Sequence, residues 1–253
     1  MGSVAKKDRS VFIMGSRMAQ DAREFPETHW SQLLELKNPA HPRHAEHLDT
    51  LVQQYWKPAY LYVRAVRSMS AEDAEDLTQQ FFAMLLSRNA FDKLSPDRGS
   101  FRGFLKTALR RYAVSADRKE ASREPRDGAR LFRFEEAEAL WTTQDRAISP
   151  EAAFDREWAR GVVTEGLRLL REEFRGQGKE IYYTIFQEYC GEDAAAAPSY
   201  DELAKRHGLS ADDVRNYLRA TRERGREILK DLLRDYLFPG EDLEDELRFI
   251  LSR

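Results

Sequence analysis

Hydrophobic positions in this chain recur at three- and four-residue spacing, the period of a helix, and no segment alternates convincingly as a strand does. Leu51, Val52, Tyr55, Trp56, Tyr60 and Val63 form one apolar stripe, which begins near Leu48 and is interrupted by Pro58. Ser70, with Asp73 three residues on, has the residue types that open a helix. Ala74, Leu77, Phe81, Met84 and Leu85 supply its core stripe. A loop holding Ser95, Pro96 and Gly99 precedes a third helix over about 101–119. Pro125, Gly128 and many charges make 120–149 a linker, within which Leu131 to Trp141 has the pattern of a short helix. Ser149-Pro150 is a favourable helix entry, and helical spacing follows over about 151–174 and 178–190. After a break at 191–199 come two short elements separated by Gly208, a long helix to about Leu237 and an amphipathic helix from about Leu243.

The pattern predicts an all-α fold: two small helical domains joined by a linker, the second carrying a helix-turn-helix. The expected divisions are a mobile leader at 1–27, a first domain at 28–119, the linker at 120–149, a second domain at 150–240 and a C-terminal helix at 241–253. The leader is aperiodic, and the second Met-Gly-Ser at Met14 makes an alternative start or a cloning scar conceivable. Hydrophobic residues are 42% and charged residues 34% of the chain, enough for a core beneath a heavily charged surface. The formal charge of −3 conceals an uneven distribution. Phe101 to Arg126 holds eight Arg/Lys against three Asp/Glu, whereas Glu241 to Arg253 holds five acids against two arginines. A nearly neutral chain can therefore present a local basic footprint to nucleic acid. Cys190 is the single cysteine, which excludes intramolecular disulfides and cysteine-based zinc sites and fits a cytoplasmic location. No apolar run approaches the ~18 residues of a membrane span, and no signal-peptide core is present.

The sharpest local signal is Ser199 to Arg226. Ser199 and Glu202 form a capping-box pattern, Gly208 suits a left-handed helix end, and Ser210 caps the next helix with Asp212 and Asp213 in its first turn. On that helix Val214, Leu218, Thr221 and Gly225 share one stripe. Arg215, Arg219, Arg222 and Arg226 form a second stripe roughly 100° away. A charge stripe alone is better read as a solvated helix with Arg–Glu pairs, but a helix buried on one side, cationic on the next and preceded by the capped turn suits the major groove.

Two further segments carry candidate chemistry. Phe101, Phe104, Leu105, Ala108 and Tyr112 make an apolar stripe flanked by Arg102, Lys106 and Arg110. Aromatics among cations suit single-stranded DNA, since bases stack while cations follow phosphates; the plainer reading is that both phenylalanines are core. On Ser70 to Arg88, Glu75, Gln79, Phe82 and Leu86 build a second face mixing apolar groups with acid and amide. Such a face fits a protein partner or a helix packed between two neighbours. His41, His44 and His47 stand three residues apart, but without acids or cysteines in the pattern their reading is surface or packing. His207 is expected near helix-end carbonyls, Cys190 as a core filler, and Trp30, Trp56, Trp141 and Trp158 in cores or domain contacts.

These segments, in this order, resemble the extracytoplasmic-function group of RNA polymerase sigma factors of the sigma-70 superfamily. Ala71 through Phe82 (AEDAEDLTQQFF) looks like the family's polymerase-binding helix, Ser100 to Leu105 with Arg110-Arg111 like its −10 segment, and Ser199 to Leu218 like its −35 reader. Thr28 to Ser31, Ser149-Pro150-Glu151 with Phe154 to Trp158, and Asp245 to Phe249 resemble a planctomycete-type subgroup, so the likeness covers roughly 28–253. It implies a non-enzymatic initiation factor, without cofactor or metal, whose partners are core RNA polymerase and promoter DNA, with an anti-sigma or other regulatory protein as a further candidate. Glu75, Asp76, Gln79 and Phe82 are then expected at the polymerase clamp. Phe101, Arg102, Phe104, Lys106, Arg110 and Arg111 are expected at the opened −10 region. Arg215, Asn216, Arg219 and Arg222 are expected in the −35 groove, with Tyr217 nearby. The linker at 120–149 is expected near the polymerase's RNA exit path. Many relatives carry Arg-Asn at the place of Arg110-Arg111, an aspartate at Ser115 and an arginine at Tyr217, which leaves the promoter sequence open. A free-standing helix-turn-helix regulator accounts for 199–226 but gives no reason for the other two segments. An enzyme using Glu72, Asp73, Glu75 and Asp76 on a hard cation is disfavoured, because their spacing spreads them around a helix. The apolar tail stripe Leu243, Leu247, Ile250 and Leu251 is expected to pack on the second domain or to regulate it.

Overall fold

The computed structural model describes residues 35–38, 40–67, 70–87, 91, 100–120, 148–190, 198–234, 237 and 242–252. The expected leader, Trp30, the expected helix Leu131 to Trp141 and nearly all of the linker lie outside the described residues. Within them the regular structure is eight α-helices and no strand, as the periodicity requires. They are α1 (His44–Arg67), α2 (Ala71–Ser87), α3 (Phe101–Glu120), α4 (Pro150–Gly176), α5 (Glu180–Tyr189), α6 (Tyr200–His207), α7 (Ala211–Arg234) and α8 (Leu243–Leu251). No helix among them is long and apolar enough to cross a membrane.

Serine sets the start of helix after helix. Ser70, Ser100, Ser149, Ser199 and Ser210 each accept a backbone N–H from three residues on, satisfying donors that the first turn leaves unpaired. Asp242 does the same for α8, accepting from Glu244 and Asp245. One local expectation fails: α1 runs unbroken through Pro58. Proline there removes one backbone bond, a penalty of ~3 kcal/mol. Burial of Tyr55, Ala59, Tyr60, Leu61 and Val63 on the same helix outweighs it, at roughly 1.5–3 kcal/mol for each large side chain.

The described residues divide into two compact units, an N-terminal one up to Trp158 that also takes in Leu237, and a C-terminal one of 159–234 and 242–252. The first turns of α4, through Trp158, thus belong to the N-terminal unit, whereas Pro150 was expected to open the second domain. The reason lies in the apolar and polar partners those turns meet. Phe154 is fully buried with its ring 6.4 Å from Tyr55, and the Tyr62 hydroxyl donates to Glu151. Burial, and then the Glu151 carboxylate, push the Tyr62 phenol up to about 12. Around these, α1, α2 and α3 pack through Leu51, Phe81, Phe82, Leu85, Leu105 and Leu109.

In the C-terminal unit α7 is the central element, in contact with α5, α6 and α8. Gly166 of α4 admits Leu229 so closely that a Cβ at Gly166 would stand 2.6 Å from Leu229 Cδ2. Arg224 donates three hydrogen bonds to Glu173, and Thr221 donates to the Tyr182 carbonyl. Glu188 joins α5 to α6, accepting from Arg206 at 2.5 Å and meeting His207 Nε2 at 2.8 Å. His207 is the last residue of α6, the helix-end place expected of it, and its ring also meets the Glu188 carboxylate. Cys190 is buried, as a core filler should be. Leu247 and Ile250 of α8 are buried, and Lys230 pairs with Glu244 at 2.8 Å.

Candidate nucleic-acid interface

The local geometry of α6 and α7 follows from short-range chemistry. Ser199 and Glu202 form a reciprocal capping box, with the Ser199 N–H donating to Glu202 at 2.7 Å. That backbone bond and the serine hydroxyl hold the Glu202 carboxyl below its usual range. Gly208 takes φ 67° and ψ 34°, a left-handed conformation open to glycine without strain, and directs the Leu209 N–H to the Ala204 carbonyl at 2.8 Å. Two residues later Ser210 and Asp213 repeat the reciprocal cap at the start of α7, and the hydroxyl bond lowers the Asp213 carboxyl in turn. Two capped helices thus meet across the three-residue turn Gly208 to Ser210.

The two stripes of α7 separate as their spacing demands. Val214, Leu218, Thr221 and Gly225 are buried, while Arg215, Asn216, Arg219 and Arg226 are exposed and Arg222 is half-buried. Arg215 pairs with Asp212 and lies 6.0 Å from the Tyr200 ring; Arg222 stands 5.2 Å over Tyr189. Such contacts orient guanidinium groups without neutralising the face. Tyr217 turns inward instead, stacked on Tyr182 at 4.0 Å. Tyr200, Arg215, Arg219, Arg222, Arg226 and Leu251 line one open cleft of about 680 Å³, so the last turn of α8 borders the arginine face.

The N-terminal unit holds the second candidate surface, and its parts do not stand equally free. Phe101 is buried at 4% exposure, edge-on to Tyr55, with Phe104 half-buried beside it. Arg110 and Arg111 are exposed and line a shallow cleft with Val114 and Ser115. Lys106 donates to both oxygens of Asp155, at 2.8 and 2.9 Å. Arg102 lies 3.6 Å from the same carboxylate, with its guanidinium 4.3 Å over the Trp158 ring. Two of the cations expected to meet DNA are therefore engaged by the start of α4. The sequence contains Asp155 and Trp158 in a recognisable segment, but nothing in its spacing shows that they reach α3.

The third expected surface is largely interior. Glu75, Gln79 and Phe82 are 2%, 8% and 0% exposed, with Gln79 donating to Glu75 at 3.1 Å and the Phe82 ring edge-on to Phe81. Asp76 alone of the four is exposed. The second face of α2 is thus packed at Glu75, Gln79 and Phe82, whereas Leu86 at its far end is exposed. Phe82 cannot meet a partner in this conformation.

No protein-family model, curated protein or solved structure matches this chain.

Proposed function

We propose that this protein is a sigma factor: it binds core RNA polymerase and directs it to particular promoters. The observation that carries the reading is the pair α6 and α7, two capped helices across a glycine turn, with four arginines on the open side of the second. That arrangement supports reading the pair as a helix-turn-helix whose second helix enters a major groove. Arg215, Asn216, Arg219 and Arg222 take the role of −35 readers there. Phosphate contacts fix the register, and base-edge contacts specify sequence. On the N-terminal unit, Arg110 and Arg111 meet the opened −10 strand directly, Arg102, Phe104 and Lys106 extend the surface along α3, and Phe101 supports it from the core. Unpaired bases held there offset an unstacking cost of a few kcal/mol per step. The polymerase performs the chemistry.

The test is transcription by core polymerase, with and without the protein, on fragments of the genome that encodes it. Specific transcripts that depend on the protein are expected. Substituting alanine at Arg215 and Arg219 should abolish them while the far-ultraviolet dichroism stays unchanged. A regulator that binds DNA without polymerase is the second reading, favoured by one observation: Glu75, Gln79 and Phe82 are buried rather than presented. Sequence-specific binding by the isolated chain, with no association with core enzyme, would decide for it. Loss of that association in Asp76→Lys would decide for the sigma factor.

A further inference from the structure

Histidine is poorly suited to dry burial, because each ring nitrogen needs either a donor or an acceptor. His47, on the first turn of α1, is 4% exposed, and neither of its ring nitrogens has a hydrogen-bond partner. Its Nδ1 lies 3.2 Å from Glu35 Oε2, an oxygen that is itself buried and without a hydrogen bond. The two atoms are close enough to bond, yet they do not align as donor and acceptor. His41 adds a third group. Its Nε2 lies 3.7 Å from the same Glu35 oxygen, and its ring stacks on that of His47 at 5.9 Å. One ligand atom from each of Glu35, His41 and His47 lies within 4.8 Å of the others. Ligands of a tetrahedral zinc ion stand about 3.4 Å apart, so little closure is needed.

We propose that Glu35, His41 and His47 form a binding site for a zinc-class divalent metal ion. Two imidazoles and one carboxylate are the donor set of zinc and its transition-metal neighbours, whereas calcium and magnesium require oxygen ligands. Glu35 and His41 are partly exposed, so the fourth position opens toward water. Two interactions compete with the ion. The Arg43 guanidinium is 3.8 Å from Glu35 Oε2, but that side chain is 59% exposed and can turn into solvent. The Arg43 N–H donates a long bond, 3.3 Å, to His41 Nδ1. Ligation through Nε2 places the ring proton on Nδ1 and gives up that bond. The ion fastens residues 35–38 and 40–43 to the start of α1, a job for which Leu36 is the buried apolar anchor. The sequence alone showed the histidines but not the acid, because Glu35 stands six residues before His41, with Pro39 between them to break any helical register.

The experiment is zinc titration of the full chain, freed of metal with a chelator, in competition with a chromophoric indicator. Cobalt absorption serves as a second readout. One equivalent of zinc should bind with a Kd of roughly 10 µM or tighter, raising the melting temperature. His47→Ala removes a buried ring and can unfold the turn, so the decisive variants are Glu35→Gln and His41→Ala. Both should weaken binding at least tenfold and abolish the cobalt band, while His44→Ala retains both. No stoichiometric zinc in the parent chain, or binding that survives in Glu35→Gln and His41→Ala, would overturn the site. So would loss of binding on changing His207, which pairs with Glu188 elsewhere.

Discussion

Two glycines show how differently the same residue type can be required. Gly208 has φ 67° with nothing within 4 Å of a built Cβ, so its requirement is purely conformational. Gly208→Ala should destabilise the C-terminal unit by about 1–2 kcal/mol, the penalty for a left-handed L-residue. Gly208→Asn should recover part of that loss, since asparagine tolerates this region. At Gly166 the backbone is ordinary helix and the obstacle is Leu229, 1% exposed and with its Cδ2 2.6 Å away. Gly166→Ala should cost roughly 1–3 kcal/mol through overpacking. That cost should shrink in combination with Leu229→Val, because residues in contact couple. Urea unfolding of the singles and the double separates the cases. Equal penalties at Gly166 with and without Leu229 would remove the packing account.

At the scale of elements, the junction of α3 with the first turns of α4 combines stability with the proposed function. Asp155 balances Lys106 and Arg102, both largely withdrawn from water. Removing the acid leaves two cations without that partner, a loss of about 1–3 kcal/mol by the usual worth of charged hydrogen bonds. The same change frees the cations for phosphate. Asp155→Asn should therefore lower stability while raising affinity for single-stranded DNA several-fold, read by fluorescence anisotropy at fixed salt. Reduced stability with unchanged affinity would make the pair purely structural. This junction also marks where the sequence stops being legible. Helix existence, caps and the buried stripe of α7 follow from local spacing, since Ser199, Gly208 and Val214 act through neighbours three or four residues away. Contacts between Asp155 and Lys106, or between Glu188 and His207, join residues far apart in the chain, and no periodicity encodes them. The packed second face of α2 had the same cause: a stripe of Glu75, Gln79 and Phe82 looks alike whether a partner or the chain itself covers it.

For the molecule as a whole, a formal charge of −3 would suggest indifference to DNA, yet the arginines of α7 are grouped on one face. Duplex affinity should therefore fall linearly on a log–log plot against salt, and replacing Arg215 and Arg219 by alanine should reduce the slope by about two. Acid gives the complementary test, on the carboxylates instead of the cations. Glu173, Glu202, Asp213 and Glu244 all have carboxyls held below their ordinary values, by Arg224, Ser199, Ser210 and Lys230 respectively. A carboxyl lowered by folding contributes stability that is present above its unfolded value, near 4.5 for the glutamates and 3.8 for Asp213. That contribution disappears as pH falls through the lower folded value. All four lie in the C-terminal unit, which contains no tryptophan, so tryptophan emission reports elsewhere in the chain. The near-ultraviolet dichroism of the stacked Tyr182 and Tyr217 reports on this unit. From about pH 5 down to pH 3 the transition followed by that signal should move to progressively lower urea. A variant carrying Glu173→Gln, Glu202→Gln, Asp213→Asn and Glu244→Gln should start less stable at neutral pH and lose much less on acidification. An equal acid loss in the variant would show that other groups govern it, and would take the helix caps and the α7 ion pairs out of the account of acid stability.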